Sequence, residues 1–184
     1  MIWFSADHHF GHFNVIRYCS RPYTSVYEMN EDMIQKWNAV VSPTDEVWYL
    51  GDFSMSAHYL PILKKLNGSI KLIVGNHDKA FPKKKIKPQA VQLYRDVGFV
   101  EVHLEPVKFE EFWLCHFPYA GDHPNEERFA AHRVKDDNYT WVLHGHVHNS
   151  LPRLRPRQLN VGVDCWDFRP VNINQIRTEI EKLK

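Results

Sequence analysis

Five short apolar runs in this chain each end in a cluster of side chains that can bind metal or move protons. Ile2–Ala6 leads into Asp7-His8-His9 and Val47–Leu50 into Gly51-Asp52. Ile70–Val74 leads into Gly75-Asn76-His77-Asp78, and Val107–Cys115 into His116. Trp141–Leu143 leads into His144-Gly145-His146-Val147-His148. Short apolar runs bounded by turn signals read as buried strands. Strands of one sheet that stop on a common edge bring their trailing loops together, and sites in open α/β sheets lie at the carboxyl ends of strands. The pattern predicts one polar pocket built by loops on a rigid sheet. Turn chemistry explains any single cluster, but not the same kind of cluster after every strand.

Between these runs the period changes to that of helices. Ser25-x-x-Glu28 reads as a capping box, and Val26, Met29, Met33, Trp37, Val40 and Val41 recur at helical spacing, which predicts a helix over 26–41. Further helices are expected over 59–66, 89–97 and 126–134, and from Ile173 through Ile176, Ile180 and Leu183. Phe99–His103 and Val107–Cys115 read as strands paired across Glu105-Pro106, and Leu159–Val163 and Val171–Ile173 as later strands. The class is α/β (α+β), and the 184 residues suit one domain over 1–184. With 23 basic and 22 acidic residues, bulk charge argues for neither a long nucleic-acid footprint nor a membrane surface. No run approaches the roughly 20 apolar residues of a spanning helix, and the N-terminus lacks the basic start of a signal peptide. Cys19, Cys115 and Cys165 form no CxxC pair, so they read as small buried hydrophobes in a reducing, cytoplasmic setting.

The clusters supply imidazole, carboxylate and amide donors in numbers sufficient for two metals, without a thiolate. In order and content they resemble the motifs of the calcineurin-like metallophosphoesterase superfamily, in its small form without a cap domain. Those motifs here are Asp7-x-His9, Gly51-Asp52, Gly75-Asn76-His77-Asp78, His116 and Gly145-His146-x-His148. The resemblance implies a four-layer β-sandwich flanked by helices with the metal site at strand ends. It implies that Asp7, His9 and His148 hold one divalent ion, that Asn76, His116 and His146 hold a second, and that Asp52 bridges them. Manganese comes first among the ions, with iron, zinc, nickel, cobalt and magnesium as alternatives. The implied activity is hydrolysis of a phosphoester by a metal-activated hydroxide, with His77 as general acid and Asp78 orienting its imidazole.

Several residues keep two readings. His8 alternates away from His9 and reads as a packing residue, and His144 as a support behind the ligands. His12, Arg17 and Arg21 follow the first motif and are candidate substrate contacts, against the alternative of loop supports or surface ion pairs. Lys83–Lys87 and the alternating Arg153, Arg155 and Arg157 are candidate phosphate-facing basic patches, against solvated loops. Asp164 is accounted for by turn chemistry. Phe10 and Phe117 flank ligand positions and read as pocket walls. An uncapped site favours small phosphodiesters, nucleotides or cyclic nucleotides as substrate, so a phosphodiesterase is preferred to a monoesterase. A nuclease or RNA-end-processing enzyme is the first alternative, and a non-catalytic interaction module the last. No obligate protein partner is evident.

Overall fold

Trp3 and Phe4 show how the first strand is used. Trp3 joins the core shared with the helices, whereas Phe4 joins the core shared with the second sheet. This is the two-residue period of a strand buried on both faces. The computed structural model describes residues 1–83, 85–122, 128–150 and 153–182. In it, β1 (Ile2–Ser5), β2 (Glu46–Tyr49), β3 (Ser69–Ile73) and β4 (Glu101–His103) run parallel in one sheet, with β10 (Val171–Asn172) antiparallel on its edge. The second sheet has the order β5 (Val107–Phe109), β6 (Phe112–Leu114), β7 (Trp141–His144), β9 (Gln158–Asn160), β8 (Leu154–Arg155). Within it β6, β7 and β9 are parallel.

Phe4, Trp48, Leu50 and Ile73 of the first sheet meet Phe112, Leu114, Leu143 and Leu159 of the second in one buried core. The outward residues Trp3, Val47, Tyr49 and Leu72 pack with Met29, Met33 and Trp37 of α2 (Val26–Asn38) and Tyr94 of α3 (Pro88–Val97). A short α1 (Phe13–Tyr18) contributes Val15 and Ile16 to the same cluster. Ile173, Ile176 and Ile180 of α4 (Ile173–Glu181) close the inter-sheet core. The expected mixed α/β sandwich with helices against it is therefore present. Among the described residues no helix is long and apolar enough to cross a membrane.

Several element boundaries differ from the sequence reading. The chain does not pair 99–103 with 107–115. β4 adds to β3, and the chain then crosses into the second sheet, where β5 and β6 make their own hairpin around Glu110-Glu111. Glu110 takes a left-handed φ of 49° there, a role that sequence reading reserves for Gly or Asn. The expected helix over 59–66 is a 3-10 helix over Ala57–Lys65, because Pro61 lies inside it and has no N–H to donate. The expected helix over 126–134 reduces to a single 3-10 turn at Ala130–His132, preceded by Phe129 at φ 60°; residues 126 and 127 lie outside the described residues, as does Leu183. Helix α2 starts where Ser25 predicts, with its hydroxyl accepting from the Glu28 N–H at 3.1 Å, but it ends at Asn38 rather than 41.

Candidate metal centre

The strands β1, β2, β3, β6 and β7 point the same way, so the loops that follow them gather at one end of the sandwich. Their backbones are tightly turned: Asp7, His9, Asp52, His146 and His148 all have φ between 49° and 71°. Non-glycine residues in that region carry a cost of order 1–3 kcal/mol each, and such residues concentrate at functional sites. Gly75 and Gly145 let these turns close. A Cβ on Gly75 would lie 2.2 Å from Asp52 Oδ1, and one on Gly145 2.4 Å from Asp7 Oδ2.

The side chains converge. Asp52 Oδ2 lies 3.5 Å from His9 Nε2 and 3.4 Å from His116 Nε2, between the two imidazoles. Asn76 Oδ1 is 3.0 Å from that same His116 nitrogen. Leu50 O lies 2.8 Å from His116 Nδ1 and accepts its proton, which turns Nε2 toward the cluster. The His9 and His148 rings stack at 5.0 Å, and the His116 and His146 rings meet edge-on at 5.2 Å. Asp7, His9 and His148 can offer one ligand atom each within a common small radius, and so can Asp7, Asp52 and His116.

One observation fits this set to divalent cations. Asp7 Oδ1 and both His9 ring nitrogens are buried without a hydrogen-bond partner. Such groups are costly unless something satisfies them. The charges of the cluster act strongly on one another. Burial pushes the Asp7 carboxyl up to about 6, with the charge of Asp52 adding to the effect. Burial would also raise Asp52, but His116 and His9 hold it well below the usual carboxylate range. Burial works against charge on His116, yet Asp52 raises it to about 9. Burial keeps His146 neutral, with its pKa lowered to about 4. The interior thus gathers carboxylate oxygens and imidazole nitrogens at close quarters, a donor set that suits manganese, iron, zinc, cobalt or nickel.

Behind both loop histidines stands a carboxylate backed by an arginine. His148 Nδ1–H donates to Asp164 Oδ2 at 2.7 Å, and Arg21 clasps the same carboxylate through Nε at 2.7 Å and Nη2 at 2.9 Å. Burial opposes charge on His148, but Asp164 and Asp7 push its pKa up to about 11, so the position favours a positive charge. On the other side, His146 Nε2 lies 3.3 Å from Asp122 Oδ2, which accepts from Arg133 Nη2 at 2.7 Å. The side chains of Asp164 and Asp122 are 2% and 3% exposed.

These relays correct the sequence reading. Arg21 is not a substrate contact: its guanidinium is buried and used up by Asp164 and by the carbonyls of Asp7 and His8. Asp164 is more than a turn residue, and Asp122 was not singled out. Asp78 does not meet the His77 ring. Its carboxylate instead accepts from the N–H groups of Asp52, Phe53 and Gly75 and from the Tyr94 hydroxyl, tying two loops together. His77 itself is exposed at the rim, with its ring 5.3 Å from that of His9 and its N–H donating to Asp52 Oδ1 at 2.8 Å. His12 stands 5.7 Å from His9, ring to ring, and Arg17 is exposed on α1.

His8 packs as expected, stacked on Phe10 with its Nδ1 2.8 Å from the Tyr49 hydroxyl. His144 is buried, with Nδ1–H donating to Gly145 O at 2.8 Å. Phe117 lies against His116 and His146, whereas Phe10 is core. Arg153, Arg155 and Arg157 do not form one basic face. They bond separately to Glu179, to the Ala120 carbonyl and to Asp136. In the run 83–87, Lys84 lies outside the described residues. All three cysteines are unpaired, Cys19 and Cys115 buried and Cys165 half-buried.

Two sheets that carry a histidine, aspartate and asparagine cluster at their common end define a metallophosphoesterase-like architecture. A model of the calcineurin-like phosphoesterase superfamily domain matches residues 5–168, and the chain belongs to that superfamily. It is 31% identical over 198 residues to the Gene 66 protein of Mycobacterium phage D29, covering 98% of each chain. It is 32% identical over 198 residues to an uncharacterized protein of Methanocaldococcus jannaschii, covering 100% of this chain and 93% of that one. The crystal structure of a protein of unknown function from Aquifex aeolicus shares the fold, with a TM-score of 0.67 and 24% identity, covering 100% of this chain and 99% of that one.

Proposed function

We propose that this chain, as one domain over residues 1–184, is a cytoplasmic divalent-metal-dependent phosphodiesterase acting on nucleotides, cyclic nucleotides or other small phosphodiesters. The observation that carries the reading is the convergence of buried donor atoms from both sheets on Asp52, with Asp7 Oδ1 and the His9 nitrogens left without partners. Asp7, His9 and His148 would hold one ion, Asn76, His116 and His146 the other, and Asp52 would lie between them. Manganese is the first choice, since oxygen and nitrogen donors without thiolate admit it readily. Bound ions supply charge neutralisation for phosphoryl oxygens and make water acidic enough to deprotonate near neutral pH.

The rest falls to the protein. Gly75 and Gly145 bring the Asp52 and Asp7 carboxylates close to backbone. The Asp78 carboxylate locks the loops after β2 and β3 against each other, which fixes Asn76 and His77 relative to Asp52. His77 is an exposed imidazole beside the cluster whose backbone is pinned to Asp52, and it donates a proton to the departing oxygen. Partial burial lowers its pKa, which makes its protonated ring a stronger proton donor.

The test is hydrolysis of an alkyl phosphodiester and of bis(4-nitrophenyl) phosphate by wild type and His77→Ala. The variant should retain its metals and lose roughly 10²–10⁴-fold on the alkyl ester, whose leaving oxygen needs a proton, and far less on the aryl ester. Equal alkyl turnover in both proteins removes His77 from that role. Absence of aryl ester hydrolysis with every divalent ion tried removes the phosphodiesterase reading.

A further inference from the structure

Two clefts meet on the His77 side of the cluster. The larger, about 570 Å³, is lined by Asn76 and His77, by the rings of Phe81 and Phe129, and by Lys83 and Arg128. The second, about 390 Å³, shares His77, Phe81 and Lys83 and adds Lys79 and Lys87. Both volumes fall in the range of small-molecule sites, about 300–1,000 Å³. Among the described residues no acidic one lines the first. The second has Asp78, whose carboxylate is already taken by three backbone N–H groups and a tyrosine hydroxyl. Lys79, Lys83 and Lys87 are exposed and have no acidic partner among the described residues. The arginines at 153 and 157 differ, being tied up in ion pairs with Glu179 and Asp136.

The aromatic wall is continuous with the metal cluster. Phe129 stacks on Phe117 at 4.7 Å and meets ligand candidate His146 edge-on at 5.7 Å. The Arg128 guanidinium lies 4.9 Å from the Phe129 ring centroid. Arg133, which holds Asp122 behind His146, also donates to the Arg128 carbonyl at 3.0 Å, so this wall is fixed to the same relay. A planar guanidinium backed by an aromatic ring is a platform for a flat heteroaromatic base, and exposed lysines beside it suit a phosphate.

We propose that these clefts hold the leaving half of the substrate, and that this half is a nucleotide bearing its own phosphate. The inference rests on the phosphodiesterase reading above and narrows it to linear phosphodiesters. A cyclic mononucleotide brings a single phosphate and leaves the basic clefts without a second anion. In the reaction the water gives up one proton to solvent as its oxygen forms its bond to phosphorus, and the bond from phosphorus to the sugar oxygen breaks. That oxygen takes its proton from His77, and the phosphate-bearing nucleotide departs through the clefts with a free hydroxyl. The other product keeps the attacked phosphate.

The experiment compares the 5′-phosphorylated dinucleotide pApA with ApA and with cyclic AMP, on the metal-loaded enzyme. The proteins are wild type, the double variant Lys83→Ala/Arg128→Ala, and Arg157→Ala as a control away from the clefts. Wild type should show a kcat/KM for pApA about tenfold or more above that for ApA and cyclic AMP, carried in KM, the worth of one charge-assisted contact. In the double variant the pApA-to-ApA ratio should fall toward one, while Arg157→Ala keeps the wild-type ratio. Calorimetry of adenosine 5′-monophosphate binding in the presence of chelator gives a readout without metal, and there the double variant should bind about tenfold or more weakly. Equal kcat/KM for pApA and ApA in wild type, or equal nucleotide binding by wild type and double variant, overturns the inference. Hydrolysis of bis(4-nitrophenyl) phosphate runs alongside. If it proceeds while the selectivity is absent, only the inference fails; if it is absent with every metal, the underlying reading fails.

Discussion

His148 and His146 each present a ring held from behind by a buried carboxylate that an arginine neutralises. A carboxylate behind a ligating imidazole fixes its tautomer and orientation and raises its basicity, and losing it typically costs about 10–100-fold in metal affinity. The two relays are separate, so their effects should separate too. Asp164→Asn should weaken the ion held with Asp7 and His9 by about 10–100-fold, and Asp122→Asn should weaken the ion held with Asn76 and His116 by a similar factor. Stepwise manganese titration by calorimetry or electron spin resonance reads this as loss of one binding step with the other retained. Loss of both steps together in either variant, or of neither, would show that the carboxylates do not set ligand geometry one site at a time. At this scale the sequence made the donors legible, because each follows a strand directly. It did not reveal the relays. Arg21 and Asp164 are 143 positions apart, and no spacing rule links such residues before the fold brings them together.

The parallel strands of the first sheet were legible because each is an apolar run stopped by a polar loop, and because β1, β2 and β3 are buried on both faces. The second sheet was less so. Its hairpin turns on two glutamates, and its crossover from β4 to β5 runs through Glu105-Pro106, which reads just as well as a tight turn. Local chemistry also decided the 3-10 helix, where Pro61 overrides an otherwise helical stripe. The start of β1 is held by a device visible only in three dimensions. The Asp45 carboxylate, just before β2, accepts from the N-terminal ammonium at 2.6 Å, the Trp3 indole N–H at 2.9 Å and the Ser42 N–H at 2.9 Å. These bonds lower the Asp45 pKa to about 2, the terminal ammonium first, then Ser42 and Trp3. A carboxyl depressed in the folded state stabilises above its unfolded value, near 3.9, and loses that contribution as pH falls toward about 2. Asp45→Asn should therefore be less stable than wild type at pH 6, and the gap should shrink as the pH drops from about 4 to about 2. Urea unfolding across that range reads the difference. A gap that stays constant with pH would show that the carboxylate acts there by packing alone.

Each proposed ion draws ligands from both sheets. Asp7 and His9 follow β1 in the first sheet, while His148 follows β7 in the second; Asp52 and Asn76 come from the first, His116 and His146 from the second. With both ions bound the cluster would be a pair of cross-links at one end of the sandwich, while the apolar core of Phe4, Leu50, Leu114, Leu143 and Leu159 holds the middle. Without cations that end carries two carboxylates at close quarters and buried nitrogens without partners, all of them unfavourable to the folded state. With cations the same groups become ligands, and anything that binds the folded state alone stabilises it by mass action. At manganese about 100 times its dissociation constant, one site contributes about 2.7 kcal/mol, which for a chain of this size raises Tm by roughly 5–10 °C. Chelator should reverse the rise. Because the cross-links sit at one end, hydrogen exchange should slow most in the loops after β1, β2, β3, β6 and β7, from both sheets together, and least in α4, which closes the core between the sheets. A Tm that ignores manganese and chelator alike, or protection confined to the loops of one sheet, would mean that the two sheets do not share their ions, and the bridging placement of Asp52 would fall with it.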